Sequence, residues 1–318
     1  MTAIERTDII NWEDFVEIFQ NKEINNDIIY RGQSNSTKRI DAKIINNNIV
    51  TREPVEWQLL STFNRHYSEL DDYHFGTFLN QHLNPTFFNS HYNSYEISKT
   101  IPLCNWDLLN KLYFLQHYGC PTCLIDFTRQ PLIALYFAIT AMKGSSGYSL
   151  DYDNNICNYP DSCFLSIYQI DCKSLRQDLN IKSINKDSDI PKDYDQFKIE
   201  IDSNDYRSFH VGLIENPVCN EINFNLTKQK GCFILYDNDK SNDIGLETLI
   251  DEIVKVKNIS LSKPIVTIYR ISYNSIFKNR KKNKESLFSY LKNENIYGAT
   301  LFNDIQGLKY DLNFFHQD

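Results

Sequence analysis

The sequence predicts an α+β protein in which helices flank a central mixed sheet. Short runs rich in β-branched and aromatic residues, such as residues 28–30 and 265–271, are separated by polar loops, as is typical of half-buried strands. Apolar residues recur at helical spacing in residues 106–118. The segment after Pro131 is apolar on all sides, which predicts a helix buried behind the sheet.

The chain is predicted to form a helical lead-in over residues 1–26 and one compact domain over residues 27–318. The lead-in helix is expected over residues 8–19. Its apolar face carries Phe15, Ile18 and Phe19. Residues 27–32 then predict the first strand of the domain.

The middle of the chain predicts two helices separated by an insertion. Residues 54–68 and 106–118 both repeat apolar residues at helical spacing. Residues 71–100 are rich in Asn, His, Tyr and Phe without a clear period, so they predict an inserted loop. Gly119 lies where a left-handed helix stop is expected, which places His117 in the last helical turn.

A buried strand and an apolar helix are expected next. Residues 123–127 predict the strand, and Pro131 suits the first turn of a helix that continues to about residue 142. Residues 144–161 are rich in Gly, Ser, Asp and Asn and predict a second inserted loop. Further strands are expected around residues 163–169, 231–236 and 265–271.

Composition and charge exclude several classes of protein. A chain of 318 residues with 42% hydrophobic content can bury a substantial core, so it is globular and not disordered. A formal charge of -8 argues against a uniformly basic nucleic-acid binder. No run approaches the roughly 18 apolar residues of a membrane span, and the first residues lack a signal-peptide pattern. We therefore expect a cytoplasmic protein with no membrane partner.

The eight cysteines have two interpretations: redox or zinc-binding groups, or reduced thiols packed in the core. Cys120 and Cys123 form a C-x-x-C pair, which in a reducing compartment suits a redox pair or half of a zinc site. The other cysteines are scattered, and no His follows at the short spacing of a zinc site. We therefore favour buried, reduced thiols and expect no metal.

Polar residues are concentrated beside the predicted buried strand. His117, Asp126, Thr128 and Arg129 lie within thirteen positions, which ordinary core sequence does not require. Arg31 follows the first predicted strand, and its planar guanidinium suits a phosphate or a carboxylate. We expect these groups to converge on one site for a nucleotide-like anion.

Y-R-G-Q occupies residues 30–33, and H-Y-G-C-P-T-C-L-I-D-F-T occupies residues 117–128. These two blocks resemble the FRG domain. Q-K-G-C-F at residues 229–233 and G-A-T-L-F-N-D-I-Q-G-L at residues 298–308 are similar to later elements of the family, so the resemblance covers roughly residues 27–315. Two positions depart from the pattern. Cys123 replaces the usual Arg, which removes a cation, and Phe127 replaces the usual Trp.

The same blocks are similar in layout to ADP-ribosyltransferases, in which an Arg at a strand end helps to hold NAD. The resemblance implies an ADP-ribosyltransferase-like fold with NAD as co-substrate. The residues implied in NAD binding are Tyr30, Gly32, Gln33, Tyr118, Thr128 and Arg129. Those implied in the chemistry are Arg31, His117, Asp126 and Gln229, with Glu221 as another carboxylate.

The implied roles follow the chemistry of NAD. Arg31 would hold the pyrophosphate or the nicotinamide ribose, and Asp126 would stabilise the positive charge that develops on the ribose. Gln229 would hold a ribose hydroxyl, and His117 would act as general base. The resemblance further implies an effector or toxin in bacterial or phage conflict. Its partners would be a protein or nucleic-acid acceptor and a cognate antitoxin.

Structural interpretations of these residues stay open at this point. Arg31 and Asp126 can form a buried ion pair that holds the fold together. Asp126 or Thr128 can cap the helix that begins at Pro131, and His117 can complement a helix C-terminus. The second class of function is a non-enzymatic module that binds a nucleotide or an acidic partner in the same pocket.

Overall fold

A computed structural model describes residues 2–9, 12–20, 25–34, 37–38, 43–45, 48–50, 55–56, 58–67, 108–140, 164–184, 197–201, 207–215, 217, 224–238, 244–272, 289–302, 307–308 and 311. Its strands are β1 (Ile4–Ile9), β2 (Ile28–Gln33), β3 (Thr37–Lys38), β4 (Lys43–Ile45), β5 (Asn48–Val50), β6 (Val55–Glu56), β7 (Leu124–Thr128), β8 (Phe164–Asp171), β9 (Lys198–Ile201), β10 (Arg207–Ile214), β11 (Gly231–Asn238) and β12 (Val266–Ser272). Its helices are α1 (Trp12–Gln20), α2 (Thr62–Tyr67), α3 (Leu108–His117), α4 (Pro131–Thr140), α5 (Cys172–Gln177), α6 (Phe224–Lys228), α7 (Leu246–Val256) and α8 (Gly298–Leu301).

One 8-stranded sheet has the order β1-β12-β8-β2-β7-β11-β10-β9. β1 and β12 run parallel, whereas the other neighbours in this sheet run antiparallel. Two small two-stranded sheets pair β3 with β6 and β4 with β5. The predicted central mixed sheet is confirmed, and β2 and β7 are neighbours in its middle.

The N-terminal segment contributes a strand as well as the predicted helix. Residues 8–9 were predicted to be helical, but they belong to β1, and α1 begins only at Trp12. Pairing with the distant strand β12 overrides the local helical pattern here. The apolar face of the helix is confirmed, because Phe15 and Phe19 are buried and the Phe19 ring lies 5.1 Å from that of Tyr269.

Apolar cores cover both faces of the sheet. Ile29 and Ile125 belong to the core that includes residues of α5 and α7. Tyr30 belongs to the core that includes residues of α1 and α4. Adjacent residues of β2 therefore enter opposite cores, as the alternation of side chains along a strand requires. In α4 every side chain except that of Phe137 is buried, which confirms the prediction of a helix packed behind the sheet.

Several predicted boundaries change or fall outside the described residues. The helix predicted over residues 54–68 is shorter, because β6 occupies Val55–Glu56 and α2 begins only at Thr62. Gly119 has a φ of 80°, which confirms the left-handed stop after α3. The two predicted insertions, residues 71–100 and 144–161, lie outside the described residues.

Within the described part of the chain, none of the helices combines the length and the apolar character that crossing a bilayer requires.

Candidate functional site

A cleft of about 350 Å³ lies over the junction of β2 and β7. Tyr113 and His117 of α3 and Phe137 of α4 contribute to its walls, and Phe233 of β11 lines it as well. Small-molecule sites typically measure roughly 300–1,000 Å³, so this cleft lies near the lower end of that range. Its size suits a nucleotide or a similar small molecule.

The cleft forms where β2 and β7 separate. Tyr30 and Thr128 are paired in antiparallel register, and this is the one residue pair between these two strands among the described residues. Beyond it, Nη1 of Arg31 donates a hydrogen bond of 2.8 Å to the carbonyl oxygen of Asp126. The guanidinium therefore bonds a β7 carbonyl that a continuous ladder would have paired with the backbone of β2.

Arg31 retains hydrogen-bonding capacity that the protein does not use. Its Nη1 lies 3.6 Å from Oδ2 of Asp126, which is a long ion pair. Its Nε is buried and has no hydrogen-bond partner among the described residues. A buried donor without a partner costs about 1–3 kcal/mol of stability. A ligand that supplies an acceptor to this nitrogen would remove that cost.

Gln116 fixes the orientation of the Asp126 carboxylate. Its Nε2 donates to Oδ1 of Asp126 at 2.8 Å and to the carbonyl oxygen of Leu124 at 3.2 Å. The Thr122 hydroxyl donates to Oε1 of the same amide. Because acceptors lie on one side of the amide and a donor lies on the other, its direction is determined. Oδ2 of Asp126 remains for Arg31, and the side chain is 60% exposed.

His117 lines the cleft, whereas Tyr118 does not. The His117 ring contacts that of Tyr118 edge-on, with centroids 5.1 Å apart. Tyr118 is 59% exposed, and its ring lies 4.6 Å from that of Phe114. The structure therefore brings His117 to the site and leaves Tyr118 on the surface.

Tyr30 and Gly32 both line the cleft, but Gly32 has a packing role there. A Cβ on Gly32 would lie 1.9 Å from the carbonyl oxygen of Ala134 and 3.0 Å from Cβ of Ala138. The glycine therefore allows α4 to pack directly against β2, whereas the sequence suggested a close approach to a ligand. Burial, followed by the nearby Tyr269, raises the pKa of Tyr30, so this phenol stays neutral.

Thr128 and Gln229 are joined at the cleft. The Thr128 hydroxyl donates to the carbonyl oxygen of Gln229 at 2.7 Å and accepts from the N–H of Gln130 at 3.1 Å. Nε2 of Gln229 donates to the carbonyl oxygen of Leu301 at 3.2 Å. Thr128, and not Asp126, therefore supports the start of α4, and the amide nitrogen of Gln229 is already engaged.

The structure does not bring Arg129 or Gln33 to the cleft. Arg129 donates through Nη1 to the carbonyl oxygen of Asn26 and through Nη2 to that of Glu215, the latter at 2.7 Å. Gln33 pairs with Ser166 of β8 and does not line the cleft. A second cation for an anionic ligand therefore does not come from Arg129.

Sequence reasoning found His117 but missed Tyr113 and Gln116, which the same helix α3 contributes to the cleft. Tyr113, Gln116 and His117 follow the i, i+3, i+4 spacing of one helix face, and all three line the cleft. This spacing alone predicts that the three side chains share one face of the helix. Phe302 also lines the cleft; it lies in the block at residues 298–308, to which sequence reasoning gave no role in the site. The other candidate carboxylate, Glu221, lies outside the described residues.

The thiols near the site are not activated. Cys232 lines the cleft, and burial raises its pKa to about 12. Burial also raises the pKa of Cys120. Because the thiolate is the reactive form, such thiols are poor nucleophiles at neutral pH. Across the described residues, His, Cys, Asp and Glu form no group arranged to hold a metal ion.

Similarity to known proteins is confined to one stretch of the chain. No curated protein and no solved structure is significantly similar to the chain. The family model of the FRG domain matches residues 26–146. This range contains β2, α3, β7 and α4, whereas the blocks at residues 229–233 and 298–308 lie beyond it. The chain therefore contains an FRG domain, and the residues of that domain form most of the cleft.

Proposed function

We propose that the cleft binds NAD and that the protein transfers or hydrolyses its ADP-ribosyl group. The observation that carries this proposal is the contact between Arg31 and Asp126 at a cleft, with the Arg31 Nε left without a partner. An ion pair with a purely structural role would use its donors within the protein. Here a guanidinium and a carboxylate instead line a space of nucleotide size.

Ribosyl transfer requires groups that stabilise charge on the sugar. The bond between C1′ and the nicotinamide nitrogen breaks, the bonding pair leaves with the nitrogen, and positive charge develops on the ribose. A carboxylate at the position of Asp126 stabilises that charge electrostatically. An acceptor oxygen or nitrogen, or water in hydrolysis, then bonds to C1′ and releases a proton.

Two further residues of the cleft complete the proposed chemistry. His117 receives the proton of the acceptor, because histidine is the side chain best suited to proton transfer near neutral pH. Nε2 of Gln229 is bound to Leu301, so its carbonyl Oε1 is the atom that accepts a ribose hydroxyl. Arg31 holds the phosphate next to that ribose.

The assay that tests this function measures nicotinamide release from NAD. We expect release by the parent protein and strong loss in Arg31→Lys and Asp126→Asn. Arg270 and Asp8 form a matched ion pair at the β1–β12 edge, with Nε and Oδ1 2.6 Å apart. Arg270→Lys and Asp8→Asn should therefore keep the parent rate. Release that is unaffected by the Arg31 and Asp126 changes would contradict the assignment of the site.

A binding module without chemistry is the second candidate. It is favoured by the scarcity of acids at the cleft, where Asp126 is the one carboxylate among the described lining residues. The same assay separates the two functions. A protein that binds NAD or ADP-ribose without releasing nicotinamide supports the binding module.

We further propose a biological role as an effector or toxin in conflict between bacteria and phages. It would act on a protein or nucleic-acid acceptor and be neutralised by a cognate antitoxin. The FRG domain and the NAD chemistry proposed for its cleft support this role. Induced expression in a bacterial host should arrest growth, and Arg31→Lys should relieve the arrest. Equal arrest by both proteins would contradict a role that depends on this cleft.

A further inference from the structure

We propose that Thr122 is a positioning residue, which holds the Asp126 carboxylate in place through the side chain of Gln116. This inference rests on the proposed function, because it explains how the carboxylate that stabilises the ribose charge keeps its orientation. Thr122 is fully buried and is not one of the described residues that line the cleft. Any effect of its hydroxyl on the reaction must therefore pass through another side chain.

Hydrogen bonds to the backbone of Leu124 determine the direction of this connection. The N–H of Leu124 donates to Oγ1 of Thr122 at 3.3 Å, so the Thr122 hydroxyl is left to donate its own proton to Oε1 of Gln116. The carbonyl oxygen of Leu124 can only accept, and it receives Nε2 of Gln116 at 3.2 Å. The amide nitrogen therefore faces β7, where it also donates to Oδ1 of Asp126 at 2.8 Å.

The backbone of Thr122 is itself held by the first residues of α2. Oγ1 of Thr62 accepts from the N–H of Thr122 at 3.0 Å and donates to the carbonyl oxygen of Thr122 at 3.1 Å. The N–H of Phe63 donates to the same carbonyl oxygen at 3.0 Å. Both backbone polar groups of Thr122 are thus satisfied by α2, so the hydroxyl projects from a fixed point.

Asp126 needs this support because its side chain is 60% exposed. An exposed carboxylate samples several rotamers, and only some of them direct an oxygen at the cleft. Arg31 restrains Oδ2 weakly at 3.6 Å, whereas the hydrogen bond from Gln116 to Oδ1 has a normal length. The Gln116 amide keeps its direction while the Thr122 hydroxyl binds its oxygen. Thr122 therefore fixes the orientation of a carboxylate that it does not touch.

The kinetics of nicotinamide release by hydroxyl variants test the inference. Thr122→Val keeps the shape of the side chain but removes the hydroxyl. We expect kcat to fall roughly tenfold, as for the loss of one hydrogen bond. KM should stay near that of the parent, because the charge on the ribose develops only in the transition state. Thr122→Ser keeps the hydroxyl and should keep most of the parent rate.

Thr140→Val is the matched control. The Thr140 hydroxyl is also buried, and it donates to the carbonyl oxygen of Tyr136 at 2.8 Å. Thr140 is not among the described residues that line the cleft. Both valine variants lose a buried hydrogen bond and should lose stability, but only Thr122→Val should lose turnover.

The outcomes separate this inference from the proposed function. If Thr122→Val keeps the parent kcat, or if Thr140→Val lowers kcat as much, the positioning role is wrong and the proposed function stands. If the parent releases no nicotinamide, the proposed function fails, and unfolding in urea still tests the connection. The stability losses of Thr122→Val and Asp126→Ala should be non-additive, because Gln116 links the two side chains. Additive losses would overturn the connection.

Discussion

Two arginine clusters in this protein differ in whether the protein itself satisfies them. The open cluster consists of Arg31 and Asp126, whose charged atoms lie 3.6 Å apart beside the cleft. The closed cluster consists of Arg129, Arg176, Asp27 and Glu215. In the open cluster, Nε of Arg31 is buried and has no partner among the described residues. In the closed cluster, Arg129 and Arg176 each donate hydrogen bonds to two acceptors.

The closed cluster holds separate parts of the chain together. Arg176 donates to the Glu215 carboxylate and, at 2.6 Å, to Oδ1 of Asp27. The Ser183 hydroxyl donates to the other carboxylate oxygen of Glu215 at 3.1 Å. Burial opposes the charge of Arg176, but the hydrogen bonds that it donates to Glu215 and Asp27 outweigh burial and raise the pKa of Arg176. This cluster joins α5 to the chain before β2 and after β10.

The position of an arginine in a motif does not determine its role. Arg31 and Arg129 were both expected to bind an anion. Arg31 lies in the block Y-R-G-Q, and Arg129 directly follows the block at residues 117–128. Their hydrogen bonds differ: Arg129 is used by backbone carbonyls, whereas Arg31 keeps an unused donor at the cleft. A structural arginine has acceptors within the protein for its guanidinium donors, whereas an arginine available to a ligand keeps a donor without a partner.

The largest effect is expected at the glycine that supports the open cluster. Gly32→Ala places a Cβ 1.9 Å from the Ala134 carbonyl oxygen, so α4 must move away from β2. We expect a loss of about 3 kcal/mol in the free energy of unfolding, measured in urea. Gly119→Ala is the matched control. Its φ is positive but nothing lies within 4 Å of the new Cβ, so about 1 kcal/mol is expected. Equal losses would contradict close packing at Gly32.

The closed cluster should affect stability without affecting the ligand. Arg176→Met leaves the Asp27 and Glu215 carboxylates without their cation. Because these groups are only partly buried, we expect a loss of about 2 kcal/mol, below the value for a fully buried pair. ADP-ribose affinity under folding conditions should equal that of the parent. A change in ADP-ribose affinity in Arg176→Met would show that the two clusters are coupled and would contradict their separate roles.

The smallest effect on stability is expected from the open cluster. Asp126 is 60% exposed, and Thr128 bonds the Gln130 N–H at the start of α4 in its place. Asp126→Ala should therefore lower the free energy of unfolding by less than about 1 kcal/mol, as for an exposed ion pair. A thermal melt beside a nicotinamide-release assay would measure both properties. A large stability loss with retained turnover would reverse the proposed roles of the two clusters.

Local patterns predicted the parts of the fold that local forces determine. β2, β7 and α4 were found because apolar runs, Pro131 and the turn at Gly119 mark them directly. The pairing of β1 with β12 joins residues from the two ends of the chain, and no local pattern reveals it. The same limit applies to the site. Arg31 and Asp126 were predicted to meet, but the path of the Arg129 side chain depends on the carbonyl oxygens of Asn26 and Glu215, which are distant in sequence.

The affinity of ADP-ribose for Arg31→Lys, relative to the parent and measured by calorimetry, tests the central claim most directly. Lysine keeps the charge but loses the Nε donor and the planar fork. If Arg31 anchors the ligand, affinity should fall roughly tenfold or more, while Arg270→Lys at the distant β12 ion pair leaves it unchanged. Equal affinities of Arg31→Lys and the parent would contradict the claim that the open cluster is the ligand site.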